Sequence, residues 1–205
     1  MSSLPVSKRK ENTRELNIKI LIVCEGERTE PNYFHGFRLP GKNIVIVGSG
    51  MNTDSLVNYA IRLKIKEFFS ETWCVFDHDS FPQTNIANAF DLMRIKSINA
   101  AYSNEAFELW YLLHFCYLDA RISRHDYCDR LSDHLGIKYQ KNQKDIYSIL
   151  LAKQNVALRN ARRLYDLMTE DGVLIQNASP ITTVFKLVDR LNELVQERNK
   201  TLEAS

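Results

Sequence analysis

Three acids fall at positions suited to joint chemistry. Glu25 directly follows the apolar run Ile18 to Cys24 (IKILIVC), and Asp77 and Asp79 follow the run Thr72 to Phe76 (TWCVF), within the row VFDHDS. In an open parallel sheet, ligands bind outside the carboxyl ends of the strands, at the point where the strand order reverses. If the first and third strands are neighbours, all three carboxylates meet in one crevice. Crowded carboxylates repel one another and hold protons more tightly unless a cation neutralises them. An all-oxygen donor set suits a hard divalent ion, Mg2+ or Mn2+. In an extended segment residues i and i+2 project to the same side, so Asp77 and Asp79 can grip one ion or bridge two. Two such ions can stabilise both the attacking and the leaving oxygen of a phosphodiester. Glu30, in the first turn of the following helix, points toward the same edge and could bind or orient a second ion.

Positioning these acids requires alternating strands and helices. IKILIVC is rich in β-branched residues and reads as a strand buried on both faces. Gly26 permits a sharp turn, and Thr29 can cap a helix with Pro31 in its first turn. Asn43 to Val47 reads as a second strand. A helix over Thr53 to Phe69 follows, with Leu56, Tyr59, Ala60, Leu63 and Phe68 on its apolar face. Thr72 to Phe76 is the third strand, Asn85 to Arg94 a helix, and Ile98 to Tyr102 a fourth strand. Asn104 to Tyr117 reads as a helix with Phe107, Trp110, Leu113, His114 and Tyr117 on one stripe. The expected fold is α/β, a parallel sheet of about four strands in the order second, first, third, fourth, flanked by helices. From about Ser123 the pattern is helical only. Ser123 with Asp126 has the form of a capping box, Ser179-Pro180 that of a helix start, and Val184, Leu187, Val188, Leu191, Leu194 and Val195 mark a core-facing helix. The expected organisation is a basic N-terminal arm over 1–17, an α/β domain over 18–120, and a helical extension over 121–205 packed on it.

Composition excludes several classes. The chain has 205 residues, 44% hydrophobic and 25% charged, with a formal net charge of +2, as in an ordinary globular protein. No apolar run approaches the ~18 residues a membrane span needs. The polar, basic N-terminus lacks the apolar core of a signal peptide. The four cysteines, Cys24, Cys74, Cys116 and Cys128, match no zinc spacing and read as reduced core thiols of a cytoplasmic protein. The charge is uneven. Residues 71–119 hold seven acids against two bases, whereas residues 121–163 hold ten bases against four acids. An acidic centre beside a basic flank suits a cation site next to a polyanion-binding surface.

Four segments together, LIVCEGERTEPNYF, WCVFDHDS, YSNEAFELWYLLHF and NASPITTVFKLV, resemble the RloB-like family, whose members are Toprim-type proteins found near restriction and phage-defence loci. The resemblance spans roughly residues 18–195. The E-G-x-x-T-E form also resembles the Toprim domain of OLD-family nucleases. The resemblance implies a Toprim-like sheet and Mg2+-dependent phosphoryl chemistry. It implies Glu25, Asp77 and Asp79 as metal ligands, Glu30 as an accessory ligand, and Glu108, in the stretch N-x-x-F-E-L-W, as a further accessory acid. Glu105 stands where the family pattern has proline, and it ranks low as a ligand. Lys141, in the row YQKNQKDIY, matches the family's Tyr-x-Lys pattern and could stabilise charge on a pentavalent phosphate.

Other residues carry less. His78 reads as a loop histidine aimed away from the flanking aspartates, His114 as a core histidine, and His35 as a helix-face residue. Trp110 and Tyr111 read as core, and Asp54 as an acid at a helix start. Arg159, Arg162 and Arg163 partly share a helix face and could neutralise phosphates. The expectation is a cytoplasmic Mg2+- or Mn2+-dependent nuclease acting on DNA or RNA, whose catalytic residues are Glu25, Asp77, Asp79 and Lys141. The resemblance adds a bacterial anti-phage, abortive-infection role and an ATPase partner encoded nearby. The alternatives are a non-catalytic regulatory subunit that binds nucleic acid or the ATPase, and aspartate-nucleophile phosphatase chemistry at Asp77. The third-strand position of Asp77, and the lack of any role for Glu25, weigh against the phosphatase.

Overall fold

The computed structural model describes residues 18–78 and 83–203. The basic arm over 1–17 and Asp79 therefore lie outside the described residues. A sheet of five strands forms the centre, ordered β2-β1-β3-β4-β5. Its members are β1 (Ile20–Cys24), β2 (Ile44–Gly48), β3 (Glu71–Asp77), β4 (Asn99–Asn104) and β5 (Ile181–Thr182). The first four pair in parallel in the expected order, and β5 joins β4 antiparallel. This is the expected α/β class, consistent with a Toprim-like sheet.

Every residue of β1 is buried, because helices cover both faces of the sheet. Leu21, Val23, Cys74 and Phe76 face α2 (Thr53–Lys66) and α3 (Gln83–Ile95), and pack with Leu56, Ala60, Ala89 and Met93. Ile20, Ile22, Cys24, Trp73 and Val75 face the other way. They pack with α1 (Thr29–His35) and α4 (Glu108–Leu112), and their cluster continues through α5 (Arg124–Leu135), α6 (Ile146–Leu150), α7 (Gln154–Met168) and α8 (Val184–Glu203). One buried cluster thus runs from the first strand to Leu194, across position 120. The α8 stripe falls as expected, with Val184, Leu187, Val188, Leu191 and Leu194 buried. The Ser123–Asp126 capping box is present in both directions.

Four local expectations are corrected. Ser179-Pro180 does not open a helix. The chain there runs into β5, whose Ile181 and Thr182 pair with Asn104 and Ser103, and α8 begins at Val184. The exposed edge of β4 needs hydrogen-bond partners. The Thr183 N–H donates to the Tyr102 carbonyl at 2.8 Å, and the Tyr102 N–H donates to Thr183 Oγ1 at 2.9 Å. The helix expected over 104–117 is only α4, because β4 extends to Asn104. All five α4 residues are buried, so there is no amphipathic stripe to read. Phe68 is 80% exposed and not on an apolar face, since α2 ends at Lys66 and Glu67 is extended. Thr29 does not cap α1. Arg28 occupies the cap position, and the Thr29 hydroxyl is used elsewhere.

Leu187 is fully buried in the shared cluster and Leu202, on the same helix, is 67% exposed. Leu187→Ala should lower unfolding free energy by roughly 2–5 kcal/mol in urea denaturation. Leu202→Ala should change it by no more than about 0.5 kcal/mol.

Candidate functional site

The carboxyl edge of the sheet gathers the acids. Glu25 leaves β1 with its N–H donating to the Val75 carbonyl at 2.9 Å. Its side chain turns back so that the Asp77 N–H donates to Glu25 Oε2 at 3.1 Å. The first and third strands are direct neighbours, and this contact ties the two acids across them. Glu30, buried in the first turn of α1, lies over Gly26 so closely that a Cβ there would overlap its carboxylate. The Glu-Gly pair therefore has a steric reason. Gly48, at the end of β2, gives room for the passing backbone of Gly26 and Glu27. Glu108, at the start of α4, is buried as well. Glu25, Glu30, Asp77 and Glu108 line one cavity of about 230 Å3, together with Arg124 and Lys141.

The cavity is crowded with like charge. Burial pushes the Asp77 carboxyl well above the ordinary range, and the negative charges of Glu30, Glu108 and Glu25 push it further, while Arg124 opposes them. Burial likewise raises Glu30, with Glu108 adding to the rise. Backbone N–H groups of Glu30 and Gly26, and the Lys141 charge, pull the other way. Asp77 Oδ1 and Glu30 Oε2 are shut off from solvent and have no hydrogen-bond partner. Orphaned buried oxygens of this kind are costly to keep. They are the donors a hard cation would take.

Two cations are built into the walls. Lys141 Nζ is 3.7 Å from Glu108 Oε1, and the Tyr139 hydroxyl donates to the same oxygen at 3.3 Å. The Lys141 loop is pinned to α1, since the Thr29 hydroxyl donates to the Lys141 carbonyl at 2.6 Å. Arg124 donates to the carbonyls of Glu105 at 3.0 Å and His78 at 3.2 Å, clamping the residue that follows β3 to the start of α5. Thr29 and Tyr139 fall within the E-G-x-x-T-E and Tyr-x-Lys patterns, although neither pattern alone gives them a site role, and Arg124 had no sequence signal as a site residue. Their roles follow from the helical part folding back over the sheet.

The remaining candidates fall outside the cavity. His78 Nδ1 is 2.8 Å from the Tyr102 hydroxyl. His114 is buried, its Nδ1 2.9 Å from the Trp110 carbonyl, and burial lowers its pKa to about 4. Trp110 and Tyr111 are core, and His35 is exposed on α1. Glu105 pairs with Arg121 at 3.3 Å. The α7 arginines are not brought to the site. Arg162 forks onto both oxygens of Asp189 at 2.6 and 2.7 Å, Arg163 lies 4.1 Å from the Tyr117 ring centre, and Arg159 is exposed. Among the described residues, no group of three or more acidic, histidine or cysteine side chains forms a ready-made metal site.

The model of the family described as RloB-like protein matches residues 20–191. The chain belongs to the RloB-like family. No curated protein and no solved structure matches it. The matched span of this RloB-like chain contains each of the four cavity carboxylates and both cavity cations. Among the described residues, no helix is long and apolar enough to cross a membrane.

The raised Asp77 carboxyl has a consequence for stability. The folded state binds the Asp77 proton more tightly than the unfolded chain does, so stability falls as pH rises above the unfolded carboxylate range near 4. Asp77→Asn removes that penalty. In a chelator, the variant should melt higher than the wild type at pH 8 and gain progressively less toward pH 5. The gain is about 1.4 kcal/mol for each tenfold increase in proton affinity. An offset that does not change with pH would contradict the crowding.

Proposed function

We propose that the cavity is the active site of a divalent-cation-dependent nuclease of the Toprim type. The observation that carries this reading is the convergence of Glu25, Glu30, Asp77 and Glu108 in one cavity, two of them with buried, unpartnered oxygens, beside Lys141 and Arg124. Glu25 and Asp77 are the principal ligands, joined by Asp79 two positions further along the chain; Glu30 and Glu108 are accessory. A bound Mg2+ or Mn2+ supplies the positive charge that polarises a phosphodiester. The chain's own groups do the rest. The Asp77 N–H fixes the orientation of the Glu25 carboxylate. Tyr139 and Lys141 orient Glu108. Lys141, with its side chain 60% exposed, can turn from Glu108 to a phosphate oxygen and offset charge that develops there. The DNA or RNA substrate, the anti-phage role and an ATPase partner belong to this proposal and rest on family membership.

A second reading, a regulatory subunit that binds nucleic acid without cutting it, draws on the lack of a ready-made three-donor group among the described residues. A cleavage assay decides between them. Single-stranded DNA, duplex DNA and RNA are incubated with wild type, Asp77→Ala and Glu25→Gln in Mg2+, Mn2+ or chelator. Wild type should cut at least one substrate in metal, and either substitution should slow it on the order of a hundredfold or more. Equal rates in all three proteins contradict the nuclease reading. Lys141→Met should also slow cleavage, yet bind Mn2+ at least as tightly as wild type, because a competing cation has been removed from Glu108. Weaker Mn2+ binding in that variant would contradict the role given to Lys141.

A further inference from the structure

The loop between α5 and α6 takes part in two cavities. Lys141 lines the acidic one. Its other residues form a wider, open groove of about 490 Å3, whose lining includes Ile137, Lys138, Gln140, Asn142, Gln143 and Lys144. The loop is held in shape. Its carbonyls at Lys141 and Asn142 accept from Thr29 at 2.6 Å and Asn32 at 3.4 Å, the Tyr139 N–H donates to Ser132 Oγ at 2.9 Å, and the Gln143 N–H closes a turn onto the Gln140 carbonyl at 3.0 Å. Lys138, Gln140, Asn142 and Lys144 are exposed, and Ile137 is 54% exposed. Asp145 is the single acid in the lining.

We infer that this groove binds a single strand of nucleic acid and leads it to the acidic cavity. The inference rests on the nuclease reading of that cavity for what becomes of the strand. The chemistry of the groove fits such a ligand. Lys138 and Lys144 flank it as point charges for phosphates. Three amide side chains between them can donate and accept at base edges, and Ile137 offers an apolar surface to a base. Those edges are free in a single strand. A duplex presents them only inside its grooves, which a helix or a two-stranded ribbon can enter. The groove is lined by residues 137–145, which form neither a helix nor a strand that could enter a duplex groove. The same loop carries Lys141, which lines the acidic cavity, so the groove and the cavity share one stretch of chain. The α7 arginines compare poorly as a strand-binding surface, because Arg162 is taken by Asp189 and Arg163 lies over Tyr117.

The test is fluorescence anisotropy in chelator, where binding is read without cleavage. The probe is a short fluorescein-labelled single-stranded oligonucleotide of mixed sequence, made as DNA and as RNA, with the matching DNA duplex as competitor. Full-length wild type is compared with Lys138→Ala/Lys144→Ala and with Arg159→Ala/Arg163→Ala. The lysine pair should weaken binding about tenfold or more. It should also flatten the dependence of log affinity on log salt by roughly 1.4, about 0.7 for each phosphate that the variant no longer neutralises. The arginine pair should bind as wild type does, and the duplex should compete poorly. Unchanged affinity and salt slope in the lysine pair, weakening confined to the arginine pair, or preference for the duplex would each overturn the inference. Failure here is separable from failure of the nuclease reading. Cleavage in metal by a lysine pair whose affinity and salt slope match wild type removes the groove and spares the active site. Strand binding through the lysines without any turnover in metal keeps the groove and removes the nuclease.

Discussion

Like charge confined at the carboxyl edge of the sheet is the constraint on which the rest of this structure turns. At an effective dielectric of about 20, two unit charges 4 Å apart repel by about 4 kcal/mol. That is a large part of the roughly 5–15 kcal/mol that separates a folded domain from its unfolded chain. Four carboxylates around one cavity cannot all be charged there without a counter-charge. Lys141 stands against Glu108 and Arg124 against Asp77, but Asp77 and Glu30 still hold their protons more tightly than usual. The cavity is therefore incompletely neutralised by the protein's own groups, and that is what supports the proposed cation site.

The fold exists to sustain that confinement. Parallel pairing of β1 with β3 sets Glu25 against the Asp77 backbone, and two-sided burial of β1 keeps that register from slipping. The helical part is not an appendage in this respect. Its buried residues share a cluster with the sheet, the start of α5 and the loop after it contribute Arg124 and Lys141 to the same cavity, and Tyr139 holds Glu108. Asp77 and Glu108 from the acidic stretch and Arg124 and Lys141 from the basic stretch thus meet at one place. The loop that carries Lys141 also lines the wider groove of about 490 Å3.

Legibility in the sequence followed the range of the interaction involved. Strand β1 was readable because its apolar β-branched run reports two-sided burial directly, and the sheet order places Glu25 beside Asp77. The Ser123–Asp126 cap and the α8 stripe were local patterns and formed as read. Strand β5 was not readable. Two residues carry no periodicity, and they pair only because the edge of β4 offers hydrogen bonds some eighty positions earlier. The α4 stripe misled for the opposite reason, since a helix buried all round has no face to distinguish. In the site, Glu25, Glu30 and Asp77 followed from strand ends and the adjoining helix, while Glu108 and Lys141 came only with the family resemblance. Arg124 reaches the cavity through a tertiary contact that leaves no trace in spacing, and the contact of Tyr139 with Glu108 is likewise not given by the Tyr-x-Lys pattern. The arginines of α7 looked available because a sequence does not show that Asp189 lies opposite Arg162.

The most direct measurement is a crystal structure of the protein soaked in Mn2+, read for anomalous density. The account predicts a peak held by the carboxylates of Glu25 and Asp77, with Lys141 drawn away from Glu108. Crystals saturated with Mn2+ that show no peak in this cavity, and Lys141 still against Glu108, would contradict it.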